Sequence, residues 1–173
     1  MLSAGALTVV LFLWIPDRVL AQTPPAPPPP CESAEHRQFD FWVGEWEVFA
    51  ADGSLAGRNR IEEIENGCGL QENWTSVRGV TGRSLNAYWP GDGRWHQFWI
   101  GAGGLVLHLS GRFEGSTLTL EGTVTRGSDP PQRQRLSFTK TVDGTVRQLW
   151  RQSSDDGASW QVVFDGRYVR AGG

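Results

Sequence analysis

Hydrophobic and polar residues alternate in short runs from Trp46 to the end of the chain, and no stretch keeps a helical period for three turns. Such alternation is typical of strands that bury one face. Turn signals such as Asp52-Gly53, Asn66-Gly67 and Asp143-Gly144 separate the runs about every 8–12 residues and supply the positive φ angles that tight hairpins need. The pattern predicts about ten strands: 43–50, 57–65, 69–78, 82–89, 94–101, 104–112, 117–125, 133–140, 145–153 and 159–169.

Hairpins that follow one another along the chain make an up-and-down antiparallel sheet. Closing that sheet removes its exposed edges, which favours a barrel over an open sheet. We therefore predict an all-β fold, a single up-and-down antiparallel barrel of about ten strands. The segment 33–42 precedes the first strand, and we expect it to form a short helix or turn whose Phe39, Phe41 and Trp42 plug one end of the barrel.

The N-terminal region predicts export. Residues 7–15 form an apolar run of signal-peptide length, too short to span a bilayer, and Val19-Leu20-Ala21 offers a cleavage site. Six of the seven residues in 24–30 are proline, a composition typical of a stiff polyproline II spacer. We expect a periplasmic or secreted protein with three parts: signal peptide 1–21, proline-rich linker 22–32 and barrel domain 33–173.

The chain has two cysteines, Cys31 and Cys68. In an exported protein an isolated pair most often forms a disulfide, which here would tie the N-terminal arm to the end of the second strand. In the chain-entropy model a loop of this length contributes about 3–4 kcal/mol to stability. The alternative is a pair of buried thiols.

Composition narrows the classes of partner. The net charge of −3 argues against a broad basic surface for nucleic acid. No apolar run after the signal region is long enough to cross a membrane. Zinc-ligand spacing, serine nucleophile elbows and phosphate-binding loops are missing from the sequence. The sequence therefore predicts no metal, no cofactor, no nucleic-acid partner and no integral membrane segment after signal cleavage.

Five motifs rich in tryptophan and glycine recur along the chain: Phe39-Asp40-Phe41-Trp42-x-Gly44-x-Trp46, Gly67-Cys68-x-Leu70-x-Glu72-x-Trp74, Gly82-x-Ser84-Leu85-Asn86-x-Tyr88, Trp95-x-Gln97-x-Trp99 and Ser154-x-Asp156-Gly157-x-x-Trp160. This set resembles the motifs of a bacterial family of exported lipocalin-like proteins labelled DUF1579. Together they cover nearly all of the chain after the proline spacer. The resemblance implies a calycin-type barrel, but no established activity, because fold alone does not determine function.

The Gly44-x-Trp46 motif has a structural role in lipocalins, where the tryptophan closes one end of the barrel and an arginine from a late strand packs on it. The resemblance implies that Arg167 or Arg147 takes that position here, through cation–π stacking.

Ser153-x-Asp155-x-Gly157-x-Ser159-Trp160 fits the Asp-box pattern of sialidase propellers. A single copy in a chain of this length cannot build a propeller. We interpret it as a tight turn capped by Asp and Ser side chains.

Several strands carry large aromatic residues and single polar residues at alternate positions, which share a face. This mixture predicts an open pocket, whereas the alternative is a Trp-rich outer face. Aromatic rings beside amide side chains suit flat, partly polar ligands such as phenolics, polyketides or sugars. The predicted ligand-binding residues are Glu72, Trp74, Asn86, Tyr88, Gln97, Trp99, His108, Gln148 and Trp150.

Three functional hypotheses follow. The first is a protein that binds a small hydrophobic or aromatic ligand inside the barrel. The second is a barrel enzyme (an isomerase, cyclase or hydratase) with Glu72 as acid or base, helped by Tyr88 or His108, since burial raises the pKa of a carboxyl group. Glu72 could equally be satisfied by neighbouring donors, and His108 could be a half-buried strand residue, so no catalytic residue is assigned. The third is a carbohydrate-binding module with tryptophans on its outer face.

Overall fold

The computed structural model describes residues 31–172 as a closed antiparallel barrel of ten strands, in which each strand pairs with its neighbours in sequence and β1 pairs with β10. The predicted all-β, up-and-down barrel is confirmed. The predicted signal peptide and residues 22–30 of the linker lie outside the described residues. The strands are β1 Gly44–Ala50, β2 Leu55–Ile64, β3 Gly69–Ser76, β4 Thr81–Trp89, β5 Arg94–Gly101, β6 Val106–Glu114, β7 Thr117–Val124, β8 Gln132–Lys140, β9 Val146–Ser153 and β10 Gln161–Arg170.

Alternate residues of each strand lie on the inner and the outer face of the barrel wall, as the period-two pattern of the sequence predicts. Leu107 and Leu109 on β6 point inward and are almost fully buried, while their neighbours Val106 and His108 are exposed. The same alternation buries Leu118 and Leu120 on β7, and Leu136 and Phe138 on β8. The hydrophobic core therefore fills the inside of the barrel.

A plug closes the end of the barrel at which β1 begins. A one-turn 3₁₀ helix at Asp40–Trp42 follows a series of turns, and Phe39 and Trp42 are both 0% exposed. Their rings stack at 4.8 Å between centroids, and Trp42 also contacts Phe138 at 4.8 Å. Phe41 is half-buried against Phe113. The predicted plug is confirmed.

The tryptophan of the Gly44-x-Trp46 motif is covered by an arginine from the last strand, but a different one from those predicted. Arg170 lies over the Trp46 ring at 3.9 Å from its centroid. Arg147 instead pairs with Asp165 on the outer face. Arg167 lies over Phe49. The assignment to Arg167 or Arg147 is wrong, because the β1–β10 register places Trp46 directly opposite Arg170.

The predicted disulfide between Cys31 and Cys68 is present. Cys68 follows a second 3₁₀ helix, Glu65–Gly67, which connects β2 to β3. The bridge therefore fastens the start of the described chain to the plugged end of the barrel. The alternative of two buried thiols is wrong.

The Asp-box segment forms the turn between β9 and β10. Ser153 Oγ donates to Asp155 Oδ1 at 2.7 Å, and the carboxylate of Asp155 accepts from the backbone N–H and hydroxyl of Ser159 at 2.9 and 2.6 Å. These hydrogen bonds lower the pKa of Asp155 to about 2. The interpretation as a capped turn is confirmed.

Within residues 31–172 no helix has the length and apolar character needed to cross a membrane.

Candidate functional site

The barrel contains a cavity of about 360 Å³ at the end opposite the plug. Its mouth lies between the β3–β4 turn at Val80 and the β5–β6 turn at Ala102 and Gly103. Most of its wall is apolar. Six of the nine predicted ligand-binding residues line it: Glu72, Trp74, Gln97, Trp99, Gln148 and Trp150.

The other three predicted residues lie elsewhere. Asn86 is buried on β4, directly opposite Gln97, and contacts its side chain. Tyr88 is at the plugged end, beside His36 and Trp95. His108 faces outward and packs near His96. The prediction that His108 lines the pocket is wrong, because Leu107 and Leu109 occupy the inner face of β6 and a strand alternates its faces.

Two aromatic pairs contribute to the cavity wall. The rings of Trp99 and Trp150 lie 6.4 Å apart, and those of Trp74 and Phe164 lie 6.1 Å apart in an edge-to-face arrangement. Both distances fall in the range at which aromatic pairs attract one another. The cavity therefore offers ring surfaces from four different strands: β3, β5, β9 and β10.

Two glycines make room for the Trp99 side chain. Gly82 on β4 and Gly101 on β5 lie opposite each other in the sheet. A Cβ atom at Gly82 would lie 2.6 Å from the Trp99 ring, and one at Gly101 would lie 2.4 Å from it. The orientation of the Trp99 ring at the mouth therefore depends on both positions lacking a side chain.

Glu72 is the one acidic side chain among the described residues that line the cavity, and it is 4% exposed. Its Oε1 accepts from Asn59 Nδ2 at 2.8 Å and its Oε2 accepts from Ser84 Oγ at 2.7 Å. Burial raises the pKa of the Glu72 carboxyl above its ordinary value, and these two hydrogen bonds only partly offset that effect. Glu72 is thus a buried carboxyl group that releases its proton less readily than an exposed one.

A second set of hydrogen bonds connects Ser84, through Asn86, to the side-chain amide of Gln97. Asn86 Nδ2 donates to Ser84 Oγ at 2.9 Å and to the backbone carbonyl of Leu70 at 3.3 Å. Asn86 Oδ1 accepts from Gln97 Nε2 at 2.8 Å. Asn86 therefore holds the Gln97 amide from the neighbouring strand, although Asn86 itself does not line the cavity.

Tyr168 is a cavity residue that sequence reasoning did not find. Its hydroxyl accepts from Asn59 Nδ2 at 3.2 Å and donates to Gln148 Oε1. Burial and the nearby Glu72 carboxylate raise the pKa of Tyr168, so the hydroxyl stays protonated. The alternation of Phe164, Gly166 and Tyr168 along β10 carried the signal, since residues two apart share a face.

The arrangement of the tryptophans bears on the carbohydrate hypothesis. Among the tryptophans of residues 31–172, only Trp89 is strongly exposed, at 60%. Trp160, on the outer surface, lies under the Arg135 guanidinium at 4.1 Å. The described surface therefore lacks the set of coplanar exposed tryptophans that a flat sugar-binding platform requires.

The fold and the site together define a closed ten-stranded barrel with an aromatic-lined cavity open at one end. No model of a protein family matches the chain, and no curated protein is significantly similar to it.

Proposed function

We propose that this protein is an exported lipocalin-like binding protein that holds a small hydrophobic or aromatic molecule in the barrel cavity. The observation that carries the proposal is the cavity itself, about 360 Å³ with five aromatic side chains in its wall. Concave, mostly apolar sites with a few polar groups are the usual form of small-molecule binding sites.

The composition of the wall supports an aromatic ligand in particular. Trp74, Trp99, Trp150 and Phe164 present flat ring surfaces that gain both apolar burial and favourable ring–ring geometry from a planar ligand. Glu72, Gln97 and Gln148 supply the polar positions that would orient it. Burial of an apolar surface as large as that of an aromatic side chain contributes roughly 1.5–3 kcal/mol to the free energy of binding.

Export and membership of the exported lipocalin-like family belong to the same proposal. The five motifs quoted above support the family, and the Cys31–Cys68 disulfide supports an oxidising compartment such as the periplasm or the extracellular space.

A second candidate is a barrel enzyme that uses Glu72 as acid or base. One observation favours it: Glu72 lines the cavity, is almost fully buried and has a raised pKa. A carboxyl group tuned in this way suits proton transfer. Neither His108 nor Tyr88 lies at the cavity, so the helpers predicted for Glu72 are not beside it. The neighbouring hydroxyl at the cavity is that of Tyr168.

The test is native mass spectrometry of the mature protein purified from its own host. A co-purified small molecule, released on denaturation and absent from a cavity-filling variant, Leu107→Trp, would support binding. A matched pair of variants then locates the site: Trp99→Leu removes a cavity ring, and Trp89→Leu makes the same change on the outer face. We expect Trp99→Leu to weaken binding of the released compound about tenfold or more and Trp89→Leu to leave it unchanged.

Two results would count against the proposal. Equal loss of affinity in both tryptophan variants would place the ligand outside the cavity. Conversion of the compound to a product by the wild type, abolished in Glu72→Gln, would replace the binding function by the enzymatic one.

A further inference from the structure

One buried polar atom at the cavity has no hydrogen-bond partner within residues 31–172. Gln97 is 1% exposed and lines the cavity, and its Oε1 accepts no hydrogen bond there. A buried amide oxygen without a partner costs about 1–3 kcal/mol. Asn59 Oδ1 is also unpaired, but Asn59 does not line the cavity. Gln97 Oε1 is therefore the unpaired acceptor that belongs to a cavity-lining residue.

The orientation of the Gln97 amide is fixed by a directional series of hydrogen bonds. The carbonyl of Leu70 can only accept, so the Asn86 group facing it must be the donor Nδ2. The Asn86 atom that faces Gln97 is therefore the acceptor Oδ1, so Gln97 must donate to it through Nε2. An exchange of N and O in Gln97 would set two acceptors against each other. The acceptor Oε1 is thus the Gln97 group left without a partner.

The carboxyl group of Glu72 and the hydroxyl of Tyr168 are already engaged in hydrogen bonds. Each Glu72 oxygen accepts one hydrogen bond, from Asn59 and from Ser84. The Tyr168 hydroxyl both accepts and donates. Gln97 Oε1 therefore stands apart from these groups as an acceptor that still requires a donor.

Charge adds a second restriction. No arginine, lysine or histidine is among the described residues that line the cavity, and its ionisable members are Glu72 and Tyr168. A ligand carboxylate would enter a mostly apolar site that offers no cationic side chain to pair with it. When Glu72 is ionised, the ligand carboxylate would also be repelled by the negative charge of Glu72. Burying an unpaired charge is strongly unfavourable.

From these contacts we infer that the cavity selects a neutral aromatic molecule that donates a hydroxyl or N–H hydrogen bond to Gln97 Oε1, and that it rejects aromatic and fatty carboxylates. This inference rests on the proposed function, since it names the chemistry of the ligand for that same cavity. Gln97 is the specificity-determining residue, and Asn86 is a positioning residue that fixes its amide.

The test uses three probes of similar size with the mature protein: 2-naphthol, 2-methylnaphthalene and 2-naphthoate. Gln97→Leu removes the acceptor, and Gln71→Leu makes the same change on the outer face of β3 as a control. Quenching of tryptophan fluorescence reports binding. We expect Gln97→Leu to lower the affinity for 2-naphthol about tenfold, which corresponds to the loss of one hydrogen bond. The same variant should not lower the affinity for 2-methylnaphthalene, which has no hydroxyl group. Gln71→Leu should change neither, and 2-naphthoate should bind most weakly to the wild type.

A second measurement does not depend on the variant folding. In the wild-type complex, NMR should place the 2-naphthol hydroxyl end next to the side-chain amide protons of Gln97. A hydroxyl end placed at the mouth beside Ala102, or 2-naphthol affinity unchanged in a folded Gln97→Leu protein, would overturn the inference while leaving the binding function intact. Failure of 2-methylnaphthalene and 2-naphthol alike to bind would count against the proposed function itself and the inference with it.

Discussion

The guanidinium of Arg170 lies 3.9 Å from the centre of the Trp46 ring, in space that exists because residue 44 is glycine. A Cβ atom at Gly44 would lie 1.8 Å from Arg170 Nη1, and the backbone there has a φ of +133°. The same arginine donates to the carbonyl of Val43. Gly44, Trp46 and Arg170 thus join the first strand to the last where the barrel closes.

Gly44→Ala should destabilise the protein by about 2–3 kcal/mol, because it combines backbone strain with displacement of Arg170 from the Trp46 ring. Urea unfolding followed by tryptophan fluorescence measures this loss. Gly53→Ala is the matched control: its φ is also positive, at +82°, but no atom lies within 4 Å of the added Cβ. A loss no larger than that of Gly53→Ala would show that the Arg170 contact is unimportant.

Gly82→Ala should disturb the cavity more than the fold. The added Cβ would meet the Trp99 ring at 2.6 Å, so the indole must move into the cavity or out of its mouth. We expect weaker ligand binding, with a change in tryptophan emission and a smaller change in unfolding free energy. Gly101→Ala should behave in the same way, since a Cβ atom at Gly101, on the same strand as Trp99, would lie 2.4 Å from the ring. Unchanged emission and affinity in both variants would contradict the assigned position of Trp99.

Removal of the Cys31–Cys68 bridge should lower the free energy of unfolding. The two cysteines are 37 residues apart, and a loop of that size corresponds to about 3–4 kcal/mol in the chain-entropy model. The double variant Cys31→Ser, Cys68→Ser and the reduced wild type should have the same denaturation midpoint. The variant should be insensitive to reductant, which separates loss of the bridge from other effects of the substitutions.

Glu72 should make the free energy of unfolding decrease as pH rises, whereas a salt-bridged carboxylate makes it increase. Its pKa in the folded protein is raised above the ordinary value near 4.5 by burial. The folded state therefore holds the proton when the unfolded chain has released it, so stability is greatest below about 4.5 and falls as pH rises through the folded pKa. Glu72→Gln should remove this decline.

Glu45→Gln is the control for that experiment, because Glu45 is exposed on the outer face of β1. The free energy of unfolding is measured from pH 4 to pH 8 for all three proteins. A decline that persists in Glu72→Gln would show that another group titrates in this range.

The sequence was sufficient to predict the strands, because their ends carry chemical signals. Every observed strand begins and ends within two residues of a predicted one. Glycine and Asx residues mark the hairpins, and local turn chemistry determines where neighbouring strands pair. The plug and the disulfide were also predicted, since they depend on an aromatic cluster next to the first strand and on the only two cysteines.

The site was predicted less completely, because it depends on relationships that span the whole chain. On β6 the sequence offers two alternating faces, and the buried one is set by the volume of Leu107 and Leu109 rather than by the chemistry of His108. Arg170 and Tyr168 belong to β10, whose register against β1 is fixed only when the barrel closes. Local pattern cannot supply that register, since more than a hundred residues separate the two strands.

The disulfide and the plug place both ends of the described part of the chain, residues 31–172, at the same end of the barrel. Cys31 is fastened beside the start of β3, and Arg170 ends β10 next to the beginning of β1. An anchor or fusion partner attached before Cys31 or after Arg170 would therefore be joined to the barrel at its plugged end. Held on a surface by either route, the protein would turn the mouth of its cavity outward, toward the surrounding medium.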